Sequence, residues 1–588
     1  MSIGSVDPIV VEIIRNSFNS IAGQMSDSLK RAAYSPVIYD MMDFGVGIFD
    51  AKAQLLGQGP GLPLFLGGLD HAIKVVILEY ANPKPGDVFL VNDSYLVGSH
   101  LNDVTAVSPI FFDHRLTGWT AVKAHWNDIG GKDAGFTVDS TEIYQEGLRL
   151  PPVHIMKDGK WVDDILDLLM RNSRTPQTLF GDLSAQIASC QIGTSRLTEL
   201  ISQYGLETVE AAKDEIFIQW EAKETAFIAT IPQGIYSAEG FFDSDGYSDE
   251  PVLIKLAIRV EDGEVIFDLT GSSDQRPGST NCGYPQTVSA ARLAFQYIMH
   301  TTALPTGGSF RHLHVIAPKG SIFNARSPSP CYMYGTGPGM LLNLAQKALS
   351  TVLPEHVIAG QPDSASNVLI TGTKPDGSVY VTGEATAIGW GGNSQADGGS
   401  AFIDSMGGDL RNHPVETMEA KCPVVIHRYA LREESSGAGK YRGGFGVEKI
   451  YEIRDDRAEI SIWFERAKFP GWGLFGGQDA KPPHVIIQQG NNSTRLTKVN
   501  HMSVSLGTKI IARTGGGGGY GSSIERDPSR VLDDVLDGYI STCTAKRDYM
   551  VCLNNKPLCV DLVATRRLRK QSSIYPEREG DPAETLDI

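Results

Sequence analysis

Two histidines and an aspartate lie in the polar stretches NDSYLVGSHLNDV (92–104) and AHWNDIGG (124–131). His100 and Asp103 are three residues apart, a spacing that brings both side chains to one side of a turn or short helix. His125 follows at the end of a predicted strand with apolar neighbours. Imidazoles and a carboxylate with an open coordination position form the ligand set of a catalytic divalent metal, which activates water and polarises a carbonyl.

The spacing alone also permits a purely structural role, because a lone HxxD pair is common. Asp43, in YDMMDFG, is a candidate for a further metal ligand and equally for a turn or cap residue. Asp93 and Asp128 are typical turn formers. If a metal is bound, we expect these two carboxylates to orient the histidines by hydrogen bonds.

A glycine-rich segment, Thr514 to Gly521, contains five consecutive glycines at 515–519. Such a run can cradle a phosphate with its N–H groups, but no GK[ST] and no long helix follow it. We therefore expect a tight loop packed at a domain or subunit contact, and any ATP to bind elsewhere. A covalent mechanism has no support either, since GxSxG is absent and the cysteines lack paired basic neighbours.

The composition is typical of a globular protein, with 588 residues, 41% hydrophobic residues and a net charge of −17. The length exceeds the roughly 250 to 300 residues at which single cores stop growing, so we expect several units. The negative charge argues against nucleic acid. Seven scattered cysteines without a CxxC pair indicate reduced, mostly buried thiols. The start of the chain lacks a targeting or membrane-spanning pattern, which predicts a cytoplasmic protein with no membrane partner.

The pattern of elements predicts a mixed α+β fold with several domains. Residues 1–165 are predicted as a mixed α/β region that carries the metal site, and 166–232 as a helical hairpin. Residues 233–365 are predicted as a second mixed α/β region. Residues 366–588 are predicted as a β-rich, glycine-containing region that ends in a strand-like CVDLVA (559–564) and a polar tail.

From end to end the chain resembles the hydantoinase B/oxoprolinase family. The matching motifs are DPIVVEIIRN, AYSPVIYDMMDFGVGIFD, PGDVFLVNDSYLVGSHLNDVTAVSPIF, AHWNDIGG, STEIYQEGLRLPPV, RTPQTLFGDLSAQIASCQIG, GKYRGGFGV, FPGWGLFGG and GGGGGYG. Many relatives have a histidine where this chain has Phe65, so the resemblance implies no specific substrate.

The resemblance implies a divalent metal, zinc or manganese, held by residues that match His100, Asp103 and His125, with Asp43 as an additional ligand. It also implies an A-type partner subunit that binds ATP and magnesium and phosphorylates a small cyclic amide, in a hetero-oligomer of α2β2 type. The family includes enzymes that open hydantoins and lactams, which makes such a hydrolase the leading expectation. Two alternatives stay open: the large subunit of an acetone- or acetophenone-type carboxylase, and a structural subunit without catalysis.

Overall fold

The structure is a computed structural model that describes residues 6–135, 137–363, 366–374 and 377–572. The predicted polar tail beyond residue 572 lies outside the described residues. The N-terminal part begins with a long helix, continues as a sheet with short helices, and ends in two long consecutive helices. Its elements are α1 (Pro8–Ala32), α2 (Pro36–Tyr39), β1 (Phe44–Asp50), β2 (Leu55–Gln58), α3 (Pro63–Leu66), α4 (Leu69–Glu79), β3 (Val88–Val91), α5 (Ser94–Val97), β4 (Asp103–Phe112), β5 (Arg115–His125), β6 (Val153–Lys157), β7 (Lys160–Trp161), α6 (Asp163–Arg171), α7 (Pro176–Tyr204) and α8 (Leu206–Ile228).

The middle part alternates strands and helices. Its elements are β8 (Gly234–Phe242), β9 (Val252–Glu261), β10 (Glu264–Asp268), α9 (Tyr284–Ile298), β11 (Leu313–Ile316) and α10 (Thr336–Leu349). The last part is rich in short strands, in agreement with the prediction. Its elements are β12 (Asn367–Thr373), β13 (Val379–Ala385), α11 (Val415–Lys421), β14 (Val424–Leu431), β15 (Val447–Ile453), β16 (Ala458–Trp463), β17 (His484–Gln489), β18 (Asn492–Leu496), β19 (Lys498–Val504), β20 (Lys509–Arg513), α12 (Pro528–Leu536), α13 (Thr542–Tyr549), β21 (Leu553–Asn555), β22 (Leu558–Val560) and α14 (Leu562–Ser572).

The mixed α+β architecture predicted from the sequence is confirmed. Within the described residues, the N-terminal sheet has seven strands in the order β2-β1-β5-β4-β3-β6-β7. Sheets of four strands (β11-β10-β9-β8 and β13-β12-β16-β19), five strands (β14-β15-β20-β17-β18) and two strands (β21-β22) follow. The proposed division into four domains at 165, 232 and 365 stays a prediction.

The N-terminal sheet is buried on both faces, which explains why its central strands are almost continuously apolar. Val104 and Val122 point into a core formed with α1 and α7. Val107 and Trp119 point to the opposite face, into a core formed with α4. Successive strand residues alternate between the two faces, so the face of a side chain in β4 and β5 follows from its number, except beyond the register shift close to the turn that joins these strands.

Two predictions about local features are wrong. The segment CVDLVA continues a strand only as far as Val560, because Asp561 then caps α14: its Oδ1 accepts a hydrogen bond from the N–H of Ala564, 2.9 Å away. The cysteines are all free, but only Cys190, Cys282 and Cys331 are buried, so "mostly buried" does not hold. Every helix of the described part is too short or too polar to cross a bilayer.

Candidate metal centre

The register of two neighbouring strands brings Asp103 and His125 together. Asp103 is the first residue of β4 and His125 the last of β5, and the two are directly paired across the antiparallel ladder. Directly opposite residues place their side chains on the same face of a sheet, close to one another. A turn closed by a hydrogen bond from the Asp103 N–H to the His100 carbonyl, 3.1 Å, folds His100 back over this pair.

The three side chains converge on one point. Oδ1 of Asp103 lies 2.9 Å from Nε2 of His100 and 3.0 Å from Nδ1 of His125, and these two nitrogens are 3.0 Å apart. Among the described residues, this is the one group of histidine, cysteine and acidic side chains whose ligand atoms lie close enough together to hold a metal ion. The structure thus brings together the three residues that the sequence singled out.

His100 is oriented by the backbone of a distant segment. Its Nδ1 donates a hydrogen bond to the carbonyl of Tyr332, 3.0 Å away, so the lone pair of the neutral ring is on Nε2, which faces Asp103. The N–H of Tyr332 in turn donates to Oε1 of Glu146, 2.9 Å away. Glu146 could not be identified from the sequence, because its partner Tyr332 is 186 residues away in the chain.

Asp43 extends the cluster from the residue before β1. Its Oδ2 lies 4.0 Å from Nδ1 of His125, and its backbone carbonyl accepts a hydrogen bond of 3.1 Å from the N–H of the same histidine. Burial raises the pKa of Asp43 to about 6. The charge of Asp103 also raises this pKa, whereas His125 and His100 lower it. Asp43 is therefore close enough to join the group, although it is farther away than the other three.

The electrostatics of the cluster are those of a carboxylate shared by two imidazoles. Burial opposes the charged form of Asp103, but His100 and His125 hold the pKa of this carboxyl well below its usual range. Burial also opposes a charge on His125, yet Asp103 and Asp43 raise the pKa of this imidazole. A cation is therefore favoured at the point where the three side chains meet, and a proton and a metal ion compete for it.

The residues present fit a divalent metal ion. Oδ2 of Asp103 and Oδ1 of Asp43 are buried and have no hydrogen-bond partner within the described part of the chain. A buried carboxylate oxygen without a donor is costly, and a cation would satisfy both. Nitrogen and carboxylate ligands suit zinc and manganese, the metals that the resemblance implies.

A cavity of about 260 Å³ borders His100, His125 and Asp43. Most of its wall is apolar and includes Leu62, Leu64, Met333, Leu369, Val381 and Met406. The wall is therefore built from the N-terminal part, the loop before α10 and the C-terminal β-rich part. This arrangement leaves room for a small, largely apolar molecule next to the cluster.

The two aspartates expected to orient the histidines have other partners. The carboxylate of Asp93 caps α5 by accepting a hydrogen bond from the Tyr95 N–H, 3.0 Å. The carboxylate of Asp128 binds the Arg174 side chain, 2.7 Å. The expectation that Asp93 and Asp128 orient the histidines is therefore wrong. His100 is oriented instead by the backbone carbonyl of Tyr332.

Phe65 is 1% exposed and lies in the core, while its neighbour Leu64 borders the cavity.

The chain belongs to the hydantoinase B/oxoprolinase family, whose model matches residues 7–523. It is 31% identical to a putative D-/L-hydantoinase subunit of Pseudomonas sp. (strain NS671), over 96% of this chain and 98% of that protein. It is 29% identical to the beta subunit of the caprolactamase of Pseudomonas jessenii, over 94% and 97% of the two chains. The crystal structure of the ATP-dependent caprolactamase from that organism superposes with a TM-score of 0.89 at 28% identity, covering 96% of this chain and all of the other.

Proposed function

We propose that this chain is the metal-carrying subunit of an ATP-dependent enzyme that hydrolyses a small cyclic amide. The observation that carries the proposal is the convergence of His100, Asp103 and His125 at the wall of a mostly apolar cavity. The similarity to a hydantoinase subunit and to a caprolactamase subunit supports the same chemistry.

The partner is an A-type subunit that binds ATP and magnesium, in a hetero-oligomer of α2β2 type, in the cytoplasm. The description of both relatives as subunits supports a partner. An unactivated amide is a poor electrophile, and phosphorylation of its oxygen in the partner converts it to an imidoyl phosphate. One water molecule adds to the carbon, the ring C–N bond breaks as a proton moves to the nitrogen, and an acyl phosphate forms. A second water molecule then hydrolyses the acyl phosphate to the carboxylate and free phosphate.

His100, Asp103 and His125, with Asp43 beside them, hold zinc or manganese in this proposal. A divalent ion at this position lowers the pKa of water and polarises a carbonyl. The carbonyl of Tyr332 accepts a hydrogen bond from Nδ1 of His100 and so orients Nε2 towards Asp103, and Glu146 holds the Tyr332 backbone by accepting its N–H. The apolar wall excludes bulk water and so protects the phosphorylated amide from unproductive hydrolysis.

The test uses Asp103→Asn in the assembled complex. This change keeps the volume of the side chain but removes its charge, so we expect ring-opened product to fall at least about 100-fold. ATP consumption triggered by the substrate should persist in part, because phosphorylation precedes the attack of water. Product and ADP are measured in the same reaction, and elemental analysis should find about one divalent ion per wild-type chain and less in His125→Ala.

Asp87→Asn is the matched control. Asp87 is also buried, at 3% exposure, but it accepts hydrogen bonds from backbone N–H groups outside the cavity. Unchanged product formation in Asp103→Asn would exclude Asp103 from the chemistry. Equal loss of both activities in an intact complex would point to a structural ion. Turnover of a ketone that depends on bicarbonate, without ring opening, would favour the carboxylase.

A further inference from the structure

A buried glutamate lies in the cavity wall contributed by the C-terminal part of the chain. Glu384 is the penultimate residue of β13, is 2% exposed and borders the same cavity as His100 and His125. Its Oε1 accepts hydrogen bonds from Nζ of Lys449 and from the hydroxyl of Tyr451, the latter at 2.7 Å. Its other oxygen, Oε2, is buried and has no hydrogen-bond partner within the described residues.

The two donors fix the carboxylate. Lys449 and Tyr451 are two apart on β15, so both point to the same face and hold Oε1 from one side. Lys449 is fully buried and compensates the charge of the glutamate. Oε2 remains as an acceptor without a donor, which is costly at a buried position unless a ligand supplies the missing N–H or O–H.

The charges near Glu384 disfavour a second carboxylate close to the ring N–H of a ligand. Besides Glu384, the carboxylates of Asp43 and Asp404 belong to the wall. No arginine is among the wall residues of the described chain, and its lysine, Lys421, is exposed and contacts the hydroxyl of Tyr39. A ring that carries a carboxylate on the carbon next to its N–H would place this negative charge beside Glu384 whenever the N–H reaches Oε2.

We propose that Glu384 accepts a hydrogen bond from the ring N–H of the substrate and thereby selects uncharged cyclic amides with a free N–H. The inference rests on the proposed function and adds the substrate class. Rings that carry a carboxylate and rings whose nitrogen is alkylated are both poor substrates: the first are repelled and the second lack the donor that Oε2 requires.

The test compares δ-valerolactam, N-methyl-δ-valerolactam and 5-oxoproline in the complex of this chain with its ATP-binding subunit. In wild type we expect kcat/KM for δ-valerolactam to exceed that for the other two at least about 10-fold. Glu384→Gln should lower kcat/KM for δ-valerolactam about 10-fold or more, because Lys449 and Tyr451 keep the amide oxygen and leave an NH₂ group where Oε2 stood. The N-methyl compound should be hardly affected, since it has no N–H to lose.

Glu452→Gln is the control, since Glu452 lies on β15 beside Tyr451 but binds His427 and Arg454 at the surface. A loss that is equal for the N–H and N-methyl compounds would mean that Glu384 acts only through structure, and would overturn the proposal. Opening of 5-oxoproline as fast as the neutral ring would overturn the substrate class while the proposed function stands. If Glu384→Gln does not fold, the two wild-type preferences still decide, and failure to open any of the rings would overturn the proposed function itself.

Discussion

The sheet that carries the candidate metal centre and the glycine-rich part of the C-terminal region are built in opposite ways. In the sheet, large side chains fill both faces, and the functional atoms meet because of strand register. In the glycine-rich part, backbone packs directly on backbone. A Cβ added to Gly443 would lie 1.8 Å from the carbonyl oxygen of Gly517, and one added to Gly517 would lie 1.9 Å from that of Trp390.

This difference separates residues needed for chemistry from residues needed for the fold. The N–H of Gly517 donates a hydrogen bond to the Gly444 carbonyl, 3.0 Å away, and the N–H of Gly518 donates to the Gly360 carbonyl, 2.8 Å away. The backbone polar groups of the glycine segments are thus paired with one another. These contacts join segments far apart in the chain without any side chain. Substitution in the sheet should therefore cost activity first, whereas substitution of a packed glycine should cost stability first.

The largest expected effect on stability is that of Gly517→Ala. Since a methyl group cannot fit 1.9 Å from a carbonyl oxygen, the backbone segments must separate, and we expect a loss of at least about 3 kcal/mol in the free energy of unfolding. Gly23→Ala in α1 is the control, because nothing lies within 4 Å of the added methyl group and alanine favours a helix by about 1 kcal/mol. Thermal unfolding measures both, and equal melting of Gly517→Ala and wild type would show that the glycine packing is not essential.

The same comparison explains what the sequence could predict. His100, Asp103 and His125 were found because they lie in short motifs whose strand and turn are local features. The link from Glu146 through Tyr332 to His100 could not be found, because it joins residues far apart through the backbone. Glu384 was missed for a related reason, since only the folded chain places β13 next to the N-terminal sheet.

The glycine run shows a second limit. The run lacks the lysine and the following helix of a phosphate-binding loop, and the sequence therefore argues against that function. It could not indicate which segments pack on it, because glycines have no side-chain pattern that identifies a partner. Ser435, Ala438 and Trp472 contribute backbone carbonyls to that packing, and their side-chain types do not reveal this contact.

A smaller effect on stability should follow from Glu146→Gln, and it should depend on pH. Burial raises the pKa of Glu146 from 4.5 to about 8, although Ser140, Cys331 and Tyr332 donate hydrogen bonds to it. Between these two values the folded protein binds more protons than the unfolded chain, so this group makes the protein less stable as pH rises from 4.5 to 8. Glutamine does not titrate. As the pH rises from 5 to 8.5, the free energy of unfolding of the variant should therefore increase relative to that of wild type by on the order of 2 kcal/mol.

Melting temperatures of wild type and Glu146→Gln across this range test the expectation. A difference that stays constant with pH would show that Glu146 does not titrate in this window. Ring opening is measured alongside, because the glutamine oxygen can still accept the N–H of Tyr332 and so keep His100 in place. A stable variant with lost activity would mean that the charge of Glu146, and not only its geometry, matters to the centre.

The smallest expected effect concerns His501, which links the loop after β5 to a sheet of the C-terminal β-rich region. His501 lies on β19, with its Nδ1 2.7 Å from Oε2 of Glu459 and its Nε2 3.4 Å from Oδ2 of Asp133. Asp133 is in the loop after β5, and Gly135 of the same loop borders the cavity. Asp133 and Glu459 raise the pKa of His501 from 6.5 to about 9, against the effect of burial. Because the folded pKa is the higher one, the stabilisation is complete below about pH 6.5 and is lost as pH rises through about 9.

His501→Gln should therefore lower the free energy of unfolding by about 1 kcal/mol at pH 6 and by almost nothing at pH 10, as expected for a partly exposed ion pair. Melting temperatures at the two pH values measure this, with Asp133→Asn in the same background to show whether the two changes are additive. If His501→Gln is equally destabilising at both pH values, the histidine contributes by packing, and the contact between the loop and the C-terminal region does not depend on its charge.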